Sequence, residues 1–192
     1  MIHSGKPALS LRVRTLTLSL ACLSFLLGSG CQPGPEMQME QLREQILTDQ
    51  LPSGVLSLAE ATAGFEEGMQ TQVVGRIFAD QMSPFDPDSA AFSLIELPKP
   101  GHDHENPGDC PFCKREMENA ATAIVQVVDS SDEVLKFPAE QLLELEENQD
   151  IVVRGKATKV GDVLIVSATA VHVLSAEDGK LFAKRIHEQP EE

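Results

Sequence analysis

The chain has 192 residues, of which 42% are hydrophobic, 4% are aromatic and none is Trp or Tyr. This length favours one domain with room for a hydrophobic core. The formal net charge of −15 repels phosphate backbones and anionic lipid headgroups, which argues against nucleic-acid binding. The four cysteines are too few for a disulfide framework, so the core must come from hydrophobic burial.

The N-terminus has the pattern of an export signal. Three positive side chains precede an apolar run over residues 16–27 that is too short to span a bilayer, and small residues then lead to Cys31. This segment resembles a bacterial lipoprotein signal, in which cleavage occurs before a cysteine that carries diacylglycerol. The resemblance implies a signal peptide over 1–30 and a lipid on Cys31. It places the protein in the cell envelope, anchored to a membrane and facing the periplasm or the exterior.

The match departs from the usual lipoprotein signal at one position, because Gly28 stands where leucine is usual, three places before the cysteine. The alternative is an ordinary secretory cleavage that releases a soluble protein. We favour the lipid anchor, because Cys31 is followed at once by Pro/Gly and polar residues typical of a tether. Loss of residues 1–30 removes three positive charges and no negative ones, which leaves a net charge of −18.

The tether is predicted over residues 31–56, with a short helix over 37–47 as one interpretation of its apolar spacing. Ser57 and Glu60 have the spacing of a capping box, which predicts a helix starting at Leu58. The rest of the chain is predicted to be mainly β, because apolar runs alternate with turn residues. The predicted strands cover residues 71–80, 91–97, 122–128, 151–158 and 163–174, with a short extra strand over 133–137.

Two local signals refine this pattern. Pro138 occupies a position typical of the first turn of a helix, which predicts a short helix between the third and fourth strands. The turn at Gly161 makes the last two strands a hairpin. The second arm of the hairpin is predicted to present a stripe of alternating residues to the core, namely Leu164, Val166, Ala168 and Ala170.

This element order, with a Val-Val-Gly-Arg-Ile strand at 73–77 and an Ile-Val-Val-Arg-Gly strand at 151–155, resembles an OB-fold. The resemblance implies a five-stranded Greek-key barrel with one short helix between strands 3 and 4. We expect this domain over 57–176, with a His/Cys loop over 99–119 between strands 2 and 3, and an acidic tail over 177–192. An immunoglobulin-like sandwich is the alternative, but it needs more strands than the pattern offers.

The loop over 99–119 holds the main candidate site. His102 and His104 point to the same side of an extended chain, and Cys110 and Cys113 have the C-x₂-C spacing of a metal knuckle. Two imidazoles and two thiolates make the tetrahedral set typical of structural zinc, with copper(I) as the second choice. Cys-Pro-x-Cys resembles the knuckle of zinc ribbons and rubredoxins, although those proteins have two knuckles and this chain has one.

Three other interpretations of the loop stay open. Cys110 and Cys113 could form a disulfide or a redox pair, since Cys-Pro-x-Cys also resembles thioredoxin-family motifs, but no βαβ pattern surrounds it. Together with Lys114, the pair also faintly resembles a variant of the haem c attachment motif. The remaining interpretation is a solvated acidic loop without a function of its own.

The sequence therefore predicts a non-enzymatic, lipid-anchored OB-fold module of the cell envelope, with a zinc or copper site in a loop and an adaptor or metal-holding role. The alternative is a thiol–disulfide redox protein that uses Cys110 and Cys113. No nucleotide-binding or hydrolase motif is present, and OB-folds that bind nucleic acid use basic, aromatic faces that this composition lacks. We expect His172 to be a hydrogen-bonded strand side chain and His187 to be solvated.

Overall fold

The computed structural model of the chain describes residues 34–80, 82–100 and 119–188. The predicted signal peptide, Cys31 and the four predicted metal ligands lie outside these residues. The elements are α1 (Pro35–Ile46), α2 (Leu58–Ala63), β1 (Gln70–Ile77), β2 (Ala91–Ile95), β3 (Thr122–Val127), α3 (Ala139–Leu143), β4 (Asp150–Val160), β5 (Val163–Val173) and α4 (Ala176–Glu188). All five main strands are confirmed, whereas the predicted extra strand is a single bridge between Val128 and Val134.

The five strands close into a ring in the order β1-β2-β3-β5-β4. β3 and β5 are parallel, and the other neighbours are antiparallel. α3 lies in the connection between β3 and β4, as the proline signal predicts. The mainly β architecture and the position of the short helix are therefore confirmed.

The main core fills the inside of the ring, because alternate residues of every strand point inwards. Val73, Val125, Val153 and Val166 are fully buried there. α2 adds Leu58, which is also fully buried. The predicted capping box starts this helix: Ser57 Oγ accepts from the Glu60 amide, and the Glu60 carboxylate accepts from the Ser57 amide.

The predicted core stripe of β5 is interrupted by a bulge. Arg154 pairs with Ala170 while Gly155 pairs with Ala168, so Thr169 has no partner across the pair. The bulge shifts the alternation by one residue. Leu164, Val166 and Ala168 therefore belong to the core, as predicted. Ala170 lies instead on the outer face, and Val171 takes the next inward position.

The predicted tether over 31–56 contains structure that packs on the ring. Ile46 of α1 is buried in the main core. Arg43 holds α1 against α3, since its Nε donates to the Leu142 carbonyl over 2.8 Å and its Nη2 donates to the Gln141 carbonyl over 3.0 Å. These carbonyls belong to the last turn of α3 and have no partner within the helix. These hydrogen bonds and the burial of Ile46 together hold α1 against the ring.

The predicted acidic tail over 177–192 is wrong for its first twelve residues, because α4 runs to Glu188. The apolar side of α4 packs on the outer face of the ring. The resulting small cluster consists of Val55, Val74, Leu97, Val152, Leu174, Phe182 and Ala183, with Ile186 at its margin. The sequence does contain a pattern for this helix, because the spacing of Gly179, Phe182, Ala183 and Ile186 is helical. The many charged residues of the segment make this pattern hard to recognise.

Gly179 sets how closely α4 approaches the ring. A Cβ atom at this position would lie 2.5 Å from Asp150 Oδ2. Asp150 also accepts two hydrogen bonds from Arg76, from Nε at 2.7 Å and from Nη2 at 3.1 Å. This bidentate pair joins β1 to β4. The start of α4 therefore rests on an ion pair that also fixes two neighbouring strands.

Gly155→Ala is expected to destabilise the folded chain by about 3 kcal/mol. An added methyl group would overlap the Ser167 carbonyl, and both groups belong to backbone that is held in the sheet at the bulge. Urea unfolding followed by circular dichroism measures the effect. The control is Gly64→Ala, where the backbone φ is −92° and an added Cβ would lie 3.4 Å from its nearest neighbour; a change below about 0.5 kcal/mol is expected. Equal stability of the two variants would contradict this account of the bulge.

Candidate functional site

The predicted His/Cys loop leaves the ring at the end of β2 and returns at the start of β3. The Glu96 amide donates to the Ala121 carbonyl over 2.9 Å, which closes the base of the loop. Leu97 is buried, and its carbonyl lies 2.8 Å from His187 Nε2. The prediction of a solvated His187 is therefore wrong, because α4 brings the imidazole against this carbonyl.

The four predicted metal ligands themselves, His102, His104, Cys110 and Cys113, lie outside the described residues. Within the described ranges, no group of three or more His, Cys, Asp or Glu side chains is placed to hold a metal ion. No helix in this part of the chain is long and apolar enough to cross a membrane.

Glu96 is the titratable group with a perturbed pKa beside the loop base. Burial raises its pKa to about 6, and the charge of Glu60 adds to this effect. Two opposing influences favour the charged form: a hydrogen bond of 2.8 Å from the Ala59 amide to Glu96 Oε2, and a smaller effect of the Leu58 backbone amide. Glu96 Oε1 is buried and has no hydrogen-bond partner among the described residues. The carboxylate thus caps the first turn of α2 while one of its oxygens stays unpaired.

A second feature is a cleft on the outer face of the ring. We call residues 48–55 the strap. Before it, Leu47 forms a bridge with Val171 at the edge of β5, and after it Leu56 forms a bridge with Val73 at the edge of β1. Since β4 lies between these two strands, the strap passes over the outer side of β5, β4 and β1.

The cleft lies between the strap and these three strands and has a volume of about 380 Å³. The strand register places its floor residues in two rows. One row is Gln72–Arg154–Ala170, and the other runs from Val152 to His172. The strap contributes the opposite wall, with Thr48, Gln50, Leu51, Pro52 and Ser53.

His172 is fixed against the strap. Its Nδ1 lies 2.6 Å from the Thr48 carbonyl. Because a carbonyl only accepts, Nδ1 carries the hydrogen and Nε2 is the nitrogen left for other partners. This confirms the prediction that His172 is a hydrogen-bonded strand side chain. The other end of the strap is held by Arg185 of α4, whose Nη2 donates to the Val55 carbonyl over 3.1 Å.

The other polar groups of the cleft are less satisfied. Gln72 Oε1 is buried and has no hydrogen-bond partner in the described part of the chain. Arg154 is exposed, and its guanidinium makes no hydrogen bond or ion pair with any described residue. The cleft therefore offers an unpaired cation and a buried amide oxygen without a partner, beside the apolar side chain of Leu51. This arrangement of a cation, a polar group and apolar surface is suited to binding a ligand.

Sequence reasoning missed this cleft because its residues are far apart along the chain. Gln72, Arg154 and Ala170 become neighbours only when the register of β1, β4 and β5 is known. The bulge at Thr169 is needed as well, because it turns Ala170 outwards. The one signal in the sequence is Arg154 itself, a charged residue that directly follows the apolar run Ile-Val-Val at 151–153.

Glu96→Gln is expected to stabilise the folded chain at pH 7.5 by about 1–2 kcal/mol, since a pKa shift of one unit corresponds to about 1.4 kcal/mol. The sign follows from linkage: a carboxyl group with a raised pKa in the folded state favours folding most below pH 4.5, and this contribution is lost as the pH rises through about 6. The neutral amide keeps an acceptor for the Ala59 amide without this loss.

The measurement is urea unfolding of both proteins at pH 4.5 and pH 7.5. The advantage of Glu96→Gln is expected to disappear at pH 4.5, where the wild-type carboxyl is protonated in the folded state. Glu147→Gln, a substitution of the same chemistry at an exposed position, is the control and is expected to show the same small effect at both pH values. If Glu96→Gln is less stable than the wild type at pH 7.5, burial is not the cause of the raised pKa of Glu96.

Comparisons with known proteins find similar solved structures. No family model matches the sequence, and no curated protein matches it. A chain of the S. pombe Stn1–Ten1 complex is similar with a TM-score of 0.34 and 14% identity, over 60% of this chain and 65% of that chain. A chain described as an aspartyl-tRNA synthetase of Leishmania major Friedlin is similar with a TM-score of 0.41 and 9% identity, over 72% of this chain and 25% of that one. This chain thus spans less than two thirds of the length of either.

Proposed function

We propose that this protein is a non-enzymatic binding module of the cell envelope, built on an OB-fold and anchored by a lipid on Cys31. The observation that carries the proposal is the closed order β1-β2-β3-β5-β4 with one parallel pair, β3 and β5. A five-stranded Greek-key ring with a helix between its third and fourth strands is the arrangement of an OB-fold, whose strands and loops serve as binding surfaces.

The outer surface of the ring disfavours nucleic acid as the ligand. Nucleic-acid-binding OB-folds use an exposed, basic face with aromatic side chains. Here α4 covers Val74 of β1 and Val152 of β4, and the chain has a net charge of −15. Both features disfavour a polyanion on this side of the ring.

The proposal of a lipid anchor is based on the sequence before Cys31. Its apolar run is shorter than a bilayer span, and the small residues before the cysteine suit cleavage by a signal peptidase. A lipid anchor on so acidic a domain needs no charge attraction to the membrane surface, because two or three acyl chains bind strongly by burial alone.

The metal-holding role rests on His102, His104, Cys110 and Cys113, and the base of their loop supports it. The Glu96 amide donates to the Ala121 carbonyl, so the two ends of the loop that carries the ligands are held together. The main core assembles from the strands, α2 and α3, and the ring is therefore expected to fold without the ion.

The alternative function is thiol–disulfide exchange by Cys110 and Cys113. An oxidising envelope favours a disulfide between two cysteines at this spacing. The metal content of the protein after aerobic purification distinguishes the two functions: about one zinc or copper ion per chain supports the metal-holding role, and a metal-free, reducible disulfide supports the redox role.

Cys31→Ser is expected to abolish lipid attachment and to move the protein from the membrane fraction to the soluble fraction. The measurement is incorporation of a labelled fatty acid in the bacterial host, followed by fractionation. Cys22→Ser, which changes a cysteine of the apolar run, is the control and is expected to keep the label. Absence of label from the wild-type protein would show that the lipid anchor is wrong.

Cys113→Ser is expected to weaken zinc binding to the reduced protein by at least 100-fold, because three ligands replace a complete tetrahedral set. Zinc titration with native mass spectrometry gives both affinity and stoichiometry. His172→Ala is the control, since its imidazole is bonded to Thr48. Metal removal is expected to leave the circular dichroism of the strands unchanged. Tight binding that survives Cys113→Ser would contradict the proposed ligand set.

A further inference from the structure

We infer that the cleft beneath the strap binds the C-terminal carboxylate of a peptide. This inference is independent of the metal loop and of the lipid anchor, because its residues come from the strap, β1, β4 and β5. Three groups carry it: the Arg154 guanidinium, the Gln72 amide and the apolar wall formed by Leu51 and Pro52 of the strap opposite Val152 and Ala170 of the floor.

Arg154 differs from the other arginines that the structure describes. Arg43 and Arg76 pair with carboxylates, and Arg185 donates to the Val55 carbonyl. Arg154 makes no such contact with the described residues, although the chain has 30 acidic residues to 15 basic ones. A guanidinium left unpaired in so acidic a protein is available to an external carboxylate, which it binds through two parallel hydrogen bonds.

Gln72 lies directly beside Arg154 in the β1–β4 register. Its Oε1 is buried and lacks a donor within the described residues. A buried acceptor without a partner is uncommon, because it has lost its hydrogen bonds to water. A rotation of the Gln72 side chain toward the cleft would expose this oxygen to a ligand that presents an N–H group next to its carboxylate, as the last peptide group of a polypeptide does.

The walls define the rest of the ligand. Leu51 is 45% exposed on the strap, and Pro52 lines the cleft beside it, so an aliphatic side chain has apolar surface on that side. Val152 and Ala170 line the floor opposite but are almost fully buried, at 1% and 5% exposure, so Leu51 and Pro52 supply most of the accessible apolar surface. The volume of about 380 Å³ is within the range of ligand sites and admits the end of a chain rather than a folded domain.

Charge selects among anions. A single carboxylate contacts the Arg154 guanidinium at close range, where attraction to this one cation outweighs repulsion by the net negative charge of the chain. A polyphosphate or a nucleic acid extends beyond the cleft and meets the field of a chain with net charge −15, which repels it. His172 can add a further hydrogen bond through Nε2, since Nδ1 is committed to Thr48.

The test uses the full chain and a short peptide, fluorescein-Gly-Ala-Ala-Leu, as the free acid and as the C-terminal amide. Fluorescence anisotropy is expected to show saturable binding of the acid and at least ten-fold weaker binding of the amide. Arg154→Gln is expected to weaken binding of the acid at least ten-fold. Lys180→Gln, which removes one positive charge from an exposed position of α4, is expected to leave binding unchanged.

A second variant keeps the test informative if Arg154→Gln does not fold. Gln72→Glu places a carboxylate directly beside Arg154 in the strand register, where it pairs with the guanidinium in place of the peptide carboxylate, and it is expected to abolish binding while thermal unfolding shows a folded protein. N-acetylalanine serves as a competitor that carries a carboxylate and one amide without a longer chain. It is expected to displace the labelled peptide only at concentrations at least ten-fold above those of unlabelled Ala-Ala-Leu.

Several results overturn the inference. These are equal affinity for the acid and the amide, full affinity in folded Arg154→Gln, or no saturable binding up to about 1 mM peptide, the weak end of specific recognition. Displacement by N-acetylalanine at the same concentration as Ala-Ala-Leu would assign the cleft to a small carboxylate and overturn its assignment to a peptide end.

Discussion

The tight curvature of a five-stranded ring is the constraint on which the rest of this structure depends. Few strands enclose a narrow interior, so the backbone must bend sharply where strands turn from one side of the ring to the other. β4 and β5 meet this demand at Gly155, where the backbone of Ser167 lies in the space that a side chain would occupy. The bulge at the same place inserts Thr169 and rotates the end of β5. Without it, Ala170 and His172 would face the core, and the floor of the cleft would not form.

The outer face of the ring depends on a second contact, the ion pair between Arg76 and Asp150. It links β1 to β4 at one end of the ring, and Gly179 lets α4 rest against the same aspartate. The hydrogen bond from the Leu174 amide to the Asp150 carbonyl fixes the chain just before the helix. Because α4 then reaches both the Val55 and the Leu97 carbonyls, one helix steadies the strap and the base of the His/Cys loop together.

Much of the fold follows from local patterns in the sequence. The strands could be predicted because their apolar residues alternate, and α2 because Ser57 and Glu60 act on neighbouring backbone groups. Pro138 indicated the position of α3 for the same local reason. The orientation of Ala170 could not be predicted, since a bulge is decided by the approach of a partner strand. α4 was concealed because its charged residues outnumber the apolar ones that contact Val74 and its neighbours.

The candidate sites divide in the same way. The His/Cys loop was found because its ligands are adjacent in sequence, and a local motif needs no register to be recognised. Gln72 and Arg154 are 82 positions apart and become neighbours only through strand pairing. Chemistry that is assembled by the fold, rather than by a contiguous motif, therefore requires the structure.

Leu47 and Leu56, which flank the strap, have one more consequence, which concerns the exposed edges of the sheet. β2 pairs with β1 only at Arg76 and Ile77, and β3 pairs with β5 only as far as Ala168. The remaining edges of β1 and β5 carry backbone groups that could pair with a strand of another chain. Leu56 occupies the edge of β1 and Leu47 that of β5. The strap and its two flanking residues thus also protect the ring from edge-to-edge association. A variant in which they detach from β1 and β5 would expose both edges and would be prone to aggregate.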